Sequence, residues 1–364
     1  MLHPLDTPRK VKPPARAMAS SMGHWLRAIA WHGIHPELRE RYAEKVAKVP
    51  LTRVYYQTMD GWSCPIFYIP AKAGTPGEPV ILSHSIGLGP NAFRMGSRAS
   101  LASQLSQAGF SVYLMTFRGD RESIAPMGRT CQDVDAIWDQ DVPAALDVVR
   151  QHSGFSNAHW LGHGLGGQIG LGWCCLNGGE GLASIVSLGS YVRFYKRRTE
   201  MRLLSAAMRI LPSHRSVPMR SLSKWLTVLI DDEYRSGTAS CASNTAGVTV
   251  RSALNLASEN ASVGVLRQVL KWLESGELTD RTGSISLSSC VGQANIPILQ
   301  ITDTGGPQTV HGYNNLEEWG HPDASTLALD SEWEHLDLLL GHRAKKCVFQ
   351  PVIAWLNTRR RLAW

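Results

Sequence analysis

The sequence predicts an α/β fold in which helices cover both faces of a mainly parallel sheet. Three observations predict it: short apolar runs of strand length, amphipathic segments of helix length, and the alternation of the two along the chain. Strands that are apolar throughout are typical of a sheet buried on both faces. The predicted strands of this kind lie at 79–85, 111–119, 158–163, 182–190 and 295–303, and a last strand is predicted at 325–331.

The segments between these runs have helical spacing. Residues 135–154 place their apolar side chains on one helical face, and residues 100–109 and 168–179 end at glycines, which commonly terminate helices. Residues 345–357 predict a closing helix. Ahead of the first buried run, two β-rich stretches flank Asp60-Gly61, and this dipeptide predicts a hairpin turn.

We expect four segments along the chain. Residues 1–50 predict a basic N-terminal arm with a short helical extension, and residues 51–190 the first part of the core. Residues 191–290 predict an inserted helical lid, because successive helix-type segments follow one another there without strands between them. Residues 291–364 return to the α/β pattern and predict the second part of the core.

The composition favours a globular cytoplasmic protein. Hydrophobic residues make up 43% and charged residues 18% of the 364, values typical of a chain with a large core. No apolar run of about 18 residues indicates a membrane span, and the basic start lacks the apolar stretch of a secretory signal. The seven cysteines are scattered and predict no disulfide framework.

The net charge of +7 lies mostly at the chain ends and around residues 196–202, which suggests solvated surfaces. Without an aromatic-interleaved basic motif we expect no nucleic-acid partner. The sequence also shows no phosphate-binding loop, no dinucleotide fingerprint and no histidine pair at metal-ligand spacing, so we expect neither cofactor nor metal. It predicts no particular oligomeric state.

The most informative motif is Gly162-His163-Gly164-Leu165-Gly166-Gly167, between a predicted strand and a predicted helix. This is the setting of the nucleophile elbow, G-x-S-x-G, whose middle residue takes a positive φ that is strained for any residue with a side chain. Here the middle residue is Gly164. The motif therefore predicts the sharp bend without the nucleophile.

With this elbow the chain resembles the α/β-hydrolase superfamily, closest to its lipase-like and polyhydroxyalkanoate-synthase-like branch. The resemblance runs from about Leu51 to the C-terminus. It rests on SHSIGLGPNAFR, SLASQLSQAGFSVYLMTFRG, DVPAALDVV, LGHGLGG and EHLDLLLG. It implies an α/β-hydrolase fold, with a mainly parallel central sheet, helices on both faces and an inserted helical lid.

The resemblance implies a degenerate catalytic triad. The histidine falls on His335, and the serine or cysteine nucleophile falls on Gly164. The acid would fall near Gly305 or Gly306, so Asp303 is the nearest carboxylate and the candidate partner of His335.

The resemblance also implies an oxyanion hole formed by the backbone N–H groups of Ile86 and Leu165. His84-Ser85 stands where the family has His-Gly, and His163 precedes the bend. We predict that these five residues form the oxyanion and substrate-binding site.

Three functions remain open. The first is a non-covalent enzyme that uses His335 and an oxyanion hole for proton transfer, lyase or cyclase chemistry, or water-assisted hydrolysis. Its substrate would be a lipophilic acyl or polyketide-like small molecule, with Gly164 leaving room for that substrate or a water. The second is a non-catalytic ligand-binding protein. The third is an ordinary esterase, lipase or acyltransferase, if Gly164 is an engineered substitution or if Ser85, His163 or Cys64 replaces the nucleophile.

Overall fold

The computed structural model describes most of the chain from Leu51 onward. The predicted arm over 1–50 lies outside the described residues, as do most of the helices expected between 201 and 257. The described residues are 51–72, 76–95, 99–127, 132–194, 205–206, 208–219, 256–293, 295–303, 321, 323–330, 333 and 335–360.

The core is an eight-stranded sheet with the order β1-β2-β4-β3-β5-β6-β9-β10. The pairs β1–β2 and β2–β4 are antiparallel, and the remaining neighbours are parallel. The predicted mainly parallel sheet is therefore confirmed. Its strands are β1 (Thr52–Gln57), β2 (Ser63–Ile69), β3 (Pro79–Ser83), β4 (Ser111–Met115), β5 (Ala158–His163), β6 (Leu182–Leu188), β9 (Ile298–Asp303) and β10 (Ala324–Leu329).

The helices follow the predicted alternation with the strands. The α-helices are α1 (Leu101–Gln107), α2 (Val134–Ala136), α3 (Val142–Ser153), α4 (Leu165–Asn177), α5 (Val263–Ser275), α6 (Asp337–Leu340) and α7 (Gln350–Asn357). Short 3-10 helices lie at Pro90–Arg94, Leu287–Ser289 and Val291–Gln293, and π-helical turns lie at Ile137–Asp141 and Lys345–Phe349.

Each face of the sheet buries its own apolar cluster. One cluster contains Trp138, Trp160 and Trp272, which come from the π-turn before α3, from β5 and from α5. The other cluster brings α1, α6 and α7 against strand residues such as Leu82 and Leu161. In the central strands, adjacent residues such as Ile81 and Leu82 of β3, or Trp160 and Leu161 of β5, enter different clusters, which explains why these strands are buried along their whole length.

The predicted hairpin at Asp60-Gly61 is present as the turn between β1 and β2, and Gly61 adopts a φ of 91°. The inserted segment contains the expected helix α5. It also contains a small two-stranded sheet, β7 (Ser216–Val217) paired with β8 (Ala261–Ser262). Strands of two residues are too short to leave a periodic pattern in the sequence.

The end of the inserted segment is joined to the loop after β3. Leu88 forms a bridge with Ser258, and Gly89 N–H donates to the carbonyl of Ala257 at 2.6 Å. Asn91 Nδ2 donates to the carbonyl of Leu256 at 3.2 Å. These bonds fix the loop at the carboxyl edge of the sheet. Within the described ranges, no helix is long and apolar enough to cross a membrane.

Candidate functional site

The sharp bend predicted at Gly164 is present between β5 and α4. Gly164 has φ 53° and ψ −117°, and its N–H donates to the carbonyl of Leu188 at 3.0 Å. Its carbonyl accepts from the N–H groups of Gly167 and Gln168 at 3.1 and 3.2 Å. A residue with a side chain would be strained in this conformation, whereas glycine adopts it without penalty.

The other glycines of the motif are required by close approach. A Cβ atom on Gly162 would stand 2.2 Å from the nitrogen of Gly167, and one on Gly166 would stand 2.0 Å from the carbonyl oxygen of Ser83. Both neighbours are backbone atoms and cannot rotate away. The start of α4 therefore packs directly against the end of β3.

Ser85 fills the space in front of Gly164. A Cβ atom on Gly164 would stand 2.3 Å from Ser85 Oγ and 3.0 Å from Ser85 Cβ. Ser85 follows β3, which is the parallel neighbour of β5, and only 7% of its surface is exposed. The Ser85 hydroxyl takes the space next to Gly164 itself, and the expectation that Gly164 leaves room for a substrate or a water stays a prediction.

His335 borders the same point. Its Nε2 atom lies 2.9 Å from the position that a Cβ on Gly164 would take. Its Nδ1 atom faces β6, 2.8 Å from the position of a Cβ on Gly189. The imidazole thus presents Nε2 to the space in front of Gly164, which the Ser85 hydroxyl also borders.

His163 supports His335 from behind. It is fully buried, and its ring stacks on that of His335 with centroids 4.2 Å apart and an angle of 29° between the planes. Its Nε2–H donates to the carbonyl of His335 at 3.0 Å. His163 thus packs on and bonds to the residue that carries the candidate base, and its predicted place in the substrate-binding site stays a prediction.

His84 supports Ser85 in a similar way. His84 Nδ1 donates to the carbonyl of Ser85 at 3.1 Å, and Nε2 donates to Asp120 Oδ2 at 3.0 Å. Burial lowers the pKa of His84, but the charge and hydrogen bond of Asp120 outweigh it and raise the pKa above its ordinary value. Both ring nitrogens face acceptors, which favours the imidazolium form.

Asp120 is not among the predicted site residues, and the available signal was its place in the loop that follows β4. Its Oδ2 atom also accepts from the N–H of Phe117 at 2.6 Å. The neighbouring Arg118 is buried between Asp141 and Asp60, with N–O distances of 2.7 Å to each. Burial raises the pKa of Asp141 to about 6, although Arg118 opposes this shift. These contacts hold the loop that carries Asp120.

The predicted oxyanion donors lie on the two sides of this site. Leu165 is the first residue of α4, so its N–H belongs to the group of amides that an α-helix leaves without an intrahelical acceptor. The residue is 6% exposed. Ile86 follows Ser85 and is half-buried. An oxyanion hole formed by these two N–H groups is compatible with the placement and stays a prediction.

The acid partner of His335 also stays a prediction. Asp303 ends β9, where its backbone pairs in register with Leu329 of β10. Its side chain, Gly305 and Gly306 lie outside the described residues. Within the part of the chain that is described, no group of three or more His, Cys, Asp or Glu side chains is arranged to hold a metal ion.

Cys64 is placed poorly for nucleophilic attack. It is fully buried in β2, and burial, with the nearby charge of Asp141, raises the pKa of its thiol to about 12. The thiolate is the reactive form of cysteine, so this thiol is inert near neutral pH. Burial likewise raises the pKa of Cys174 in α4 to about 12.

Comparison with known proteins identifies the architecture. A family model described as the alpha/beta hydrolase fold matches residues 78–215, which include Ser85 and Gly164. A search of curated proteins gives no match.

Several solved structures are similar in fold. An esterase from Exiguobacterium antarcticum has a TM-score of 0.54 at 15% identity, covering 84% of this chain and 100% of its own. A hydrolase from Pseudomonas aeruginosa PA01 has a TM-score of 0.55 at 17% identity, covering 84% of this chain and 98% of its own. A thermophilic esterase from Thermogutta terrifontis has a TM-score of 0.52 at 14% identity, covering 85% of this chain and 100% of its own. Sheet order, bend and family model together identify the chain as a protein of the α/β-hydrolase fold.

Proposed function

We propose that this protein is an enzyme that hydrolyses an ester or a related acyl compound, with His335 as the base. One observation carries the proposal: His335 Nε2 lies 2.9 Å from the point where the bend would project a side chain. A base in this position can remove the proton from the oxygen that attacks an acyl carbon. Two of the structures similar in fold are esterases, which agrees with this reaction class.

The surroundings of the bend suit an acyl reaction. When an oxygen attacks a carbonyl carbon, negative charge develops on the carbonyl oxygen, and preorganised N–H groups stabilise that charge. In our proposal the N–H groups of Leu165 and Ile86 serve this purpose. The partial positive charge at the N-terminus of α4 (Leu165–Asn177) adds to the stabilisation.

We propose a lipophilic acyl or polyketide-like molecule as the substrate. An apolar side chain from the segment between β6 and β9 supports this choice, because Met219 Cε lies 3.6 Å from the position of a Cβ on Gly87, in the loop after β3. Ile86 and Leu165 add further apolar surface. Ligand-binding clefts generally combine such apolar walls with a few polar groups that orient the ligand.

The proposal is tested with a series of p-nitrophenyl esters of increasing chain length. We expect hydrolysis with a preference for longer acyl chains. We expect His335→Gln to lower kcat/KM by about 10²- to 10⁴-fold, the usual contribution of a positioned base. The matched control is His342→Gln, which replaces an exposed histidine close in the sequence and should leave kcat/KM unchanged.

Two results would contradict the proposal. Turnover that survives in His335→Gln would exclude His335 as the base. Saturable binding of the esters without turnover would instead favour a non-catalytic ligand-binding protein.

A further inference from the structure

We propose that Ser85 is the nucleophile of this enzyme and replaces the side chain that Gly164 lacks. The inference deepens the proposed function and rests on it, because it names the oxygen that His335 activates. Ser85 Oγ and His335 Nε2 lie 2.3 and 2.9 Å from the same point above Gly164. A hydroxyl and an imidazole nitrogen are the two groups that nucleophilic catalysis combines, and here both border the space in front of Gly164.

The structure makes residues 85 and 164 mutually exclusive as sources of a nucleophile. A side chain on residue 164 would begin 2.3 Å from Ser85 Oγ, far inside van der Waals contact. Glycine at 164 is therefore the condition that lets the Ser85 hydroxyl reach the space in front of His335. Residue 164 has no side chain, and the hydroxyl of Ser85 stands in the space that such a side chain would take. In our proposal the nucleophile is therefore relocated and not lost.

Ser85 is held as a nucleophile must be. Its carbonyl accepts from Leu88 N–H at 3.1 Å and from His84 Nδ1 at 3.1 Å. The loop that follows is bonded to the inserted segment through Gly89 and Ala257 at 2.6 Å. A backbone fixed on both sides limits the positions of the hydroxyl, and such preorganisation lowers the entropic part of a reaction barrier.

The reaction balances as an ordinary two-step ester hydrolysis. His335 Nε2 takes the hydroxyl proton while Ser85 Oγ forms a bond to the acyl carbon, and the carbonyl electron pair moves onto its oxygen. When that pair returns, the bond to the alcohol oxygen breaks, and the alcohol leaves with the proton from His335. A water molecule then attacks the acyl-Ser85 ester and gives its proton to His335, which returns it to Ser85 Oγ as the carboxylic acid leaves.

The inference is tested with a fluorophosphonate probe, which phosphonylates an activated serine with loss of fluoride. The full chain is labelled, digested and mapped by mass spectrometry. We expect a single major label on Ser85, none in Ser85→Ala, and slower labelling in His335→Gln. The matched control is Ser83→Ala, which removes another buried serine hydroxyl of the same segment and should keep the label on Ser85.

Ester turnover gives a second readout. We expect Ser85→Ala to lower kcat/KM by at least about 10³-fold, because the residues of a nucleophile–base pair act as a unit. In the double variant Ser85→Gly/Gly164→Ser, the label should move to residue 164. The atoms that crowd a side chain there are then gone, apart from His335, which needs to shift by a few tenths of an ångström.

The outcomes separate the inference from the proposed function. Absence of label on Ser85 in the unmodified chain overturns the inference, whether or not any ester is turned over. The inference is also overturned if Ser85→Ala keeps ester turnover while His335→Gln loses it. That result would leave His335 as the base of a non-covalent reaction. If Ser85 is labelled and His335→Gln leaves ester turnover unchanged, the result supports Ser85 as the nucleophile and overturns His335 as the base.

Discussion

The loop after β3 and the bend after β5 lie side by side at the carboxyl edge of the sheet, yet different forces shape them. Ser83 and Gly162 are register partners, so the two segments leave the sheet at the same level. The bend is fixed by backbone contacts that leave no room for side chains at Gly162 and Gly166. The loop is fixed by hydrogen bonds, which come from the side chains of His84 and Asn91 and from the backbone N–H of Gly89.

The shape of a site and its chemistry can therefore come from different segments of the chain. The bend supplies the shape, namely a positive-φ turn at the N-terminus of α4. The loop supplies the hydroxyl that enters the space in front of that turn. Judging the site by the bend alone leads to the conclusion that the nucleophile is absent.

The largest effect is expected from adding a methyl group to the backbone-packed part of the bend. In Gly166→Ala the new Cβ would stand 2.0 Å from the carbonyl oxygen of Ser83, which cannot move without disturbing β3. We expect the free energy of unfolding to fall by about 3 kcal/mol or more, at the upper end for overpacking. Urea unfolding followed by circular dichroism measures this fall.

The control for this prediction is Gly154→Ala. Gly154 has a φ of 78°, and a Cβ on it would meet no atom within 4 Å. It should therefore cost only the backbone strain of a left-handed conformation, about 1 kcal/mol. Equal losses in the two variants would show that close packing does not distinguish the bend.

The sheet and the backbone shape of the bend could be predicted from the sequence. The mainly parallel sheet, the hairpin at Asp60-Gly61 and the bend at Gly164 follow from local patterns, because apolar runs and glycines restrict the backbone directly. The role of Ser85 is not local. It depends on the position of the Ser85 hydroxyl in front of Gly164, which lies 79 residues further along the chain. The two residues come together only when β3 and β5 pair.

Other features of the fold and of the site also lacked a local signal in the sequence. Asp120 supports the site through His84, a partner 36 residues away, and no local motif indicated that contact. Strands β7 and β8 contain two residues each and escape any periodicity. The acid partner of His335 stays a prediction: the sequence places Gly305 and Gly306 at its expected position, and both lie outside the described residues.

A smaller effect is expected where loop and bend compete for one space. Gly164→Ala adds a Cβ that would stand 2.3 Å from Ser85 Oγ and 3.0 Å from Ser85 Cβ, besides straining a φ of 53°. Ser85→Gly removes both contacts but leaves the strain. In a double-mutant cycle we expect the second change to recover about 2 kcal/mol of unfolding free energy, within the range for residues in direct contact. Additive losses would show that the two positions do not share a space.

The smallest effect is expected from the charge pair that holds the loop. His84 and Asp120 are 3 and 9% exposed, and the charge of Glu259 also raises the pKa of His84. The pKa of His84 is raised in the folded protein, since the attraction of Asp120 outweighs the effect of burial. The unfolded chain has the ordinary histidine pKa of about 6.5. The pair therefore contributes fully below that pH, and its contribution is lost as the pH rises through the folded-state pKa.

Asp120→Asn separates this charge pair from the rest of the titration. We expect the free energy of unfolding of the unmodified chain to fall as the pH rises above about 6.5, by at most about 1.5 kcal/mol, the lower value for a hydrogen bond to a charged group. In Asp120→Asn the fall should be weaker, because the amide cannot attract the imidazolium as a carboxylate does. Urea unfolding of both proteins between pH 5.5 and 8.5 measures the difference. Parallel curves would mean that hydrogen bonds without net charge hold the loop, and Ser85 would then keep its position at every pH at which the protein is folded.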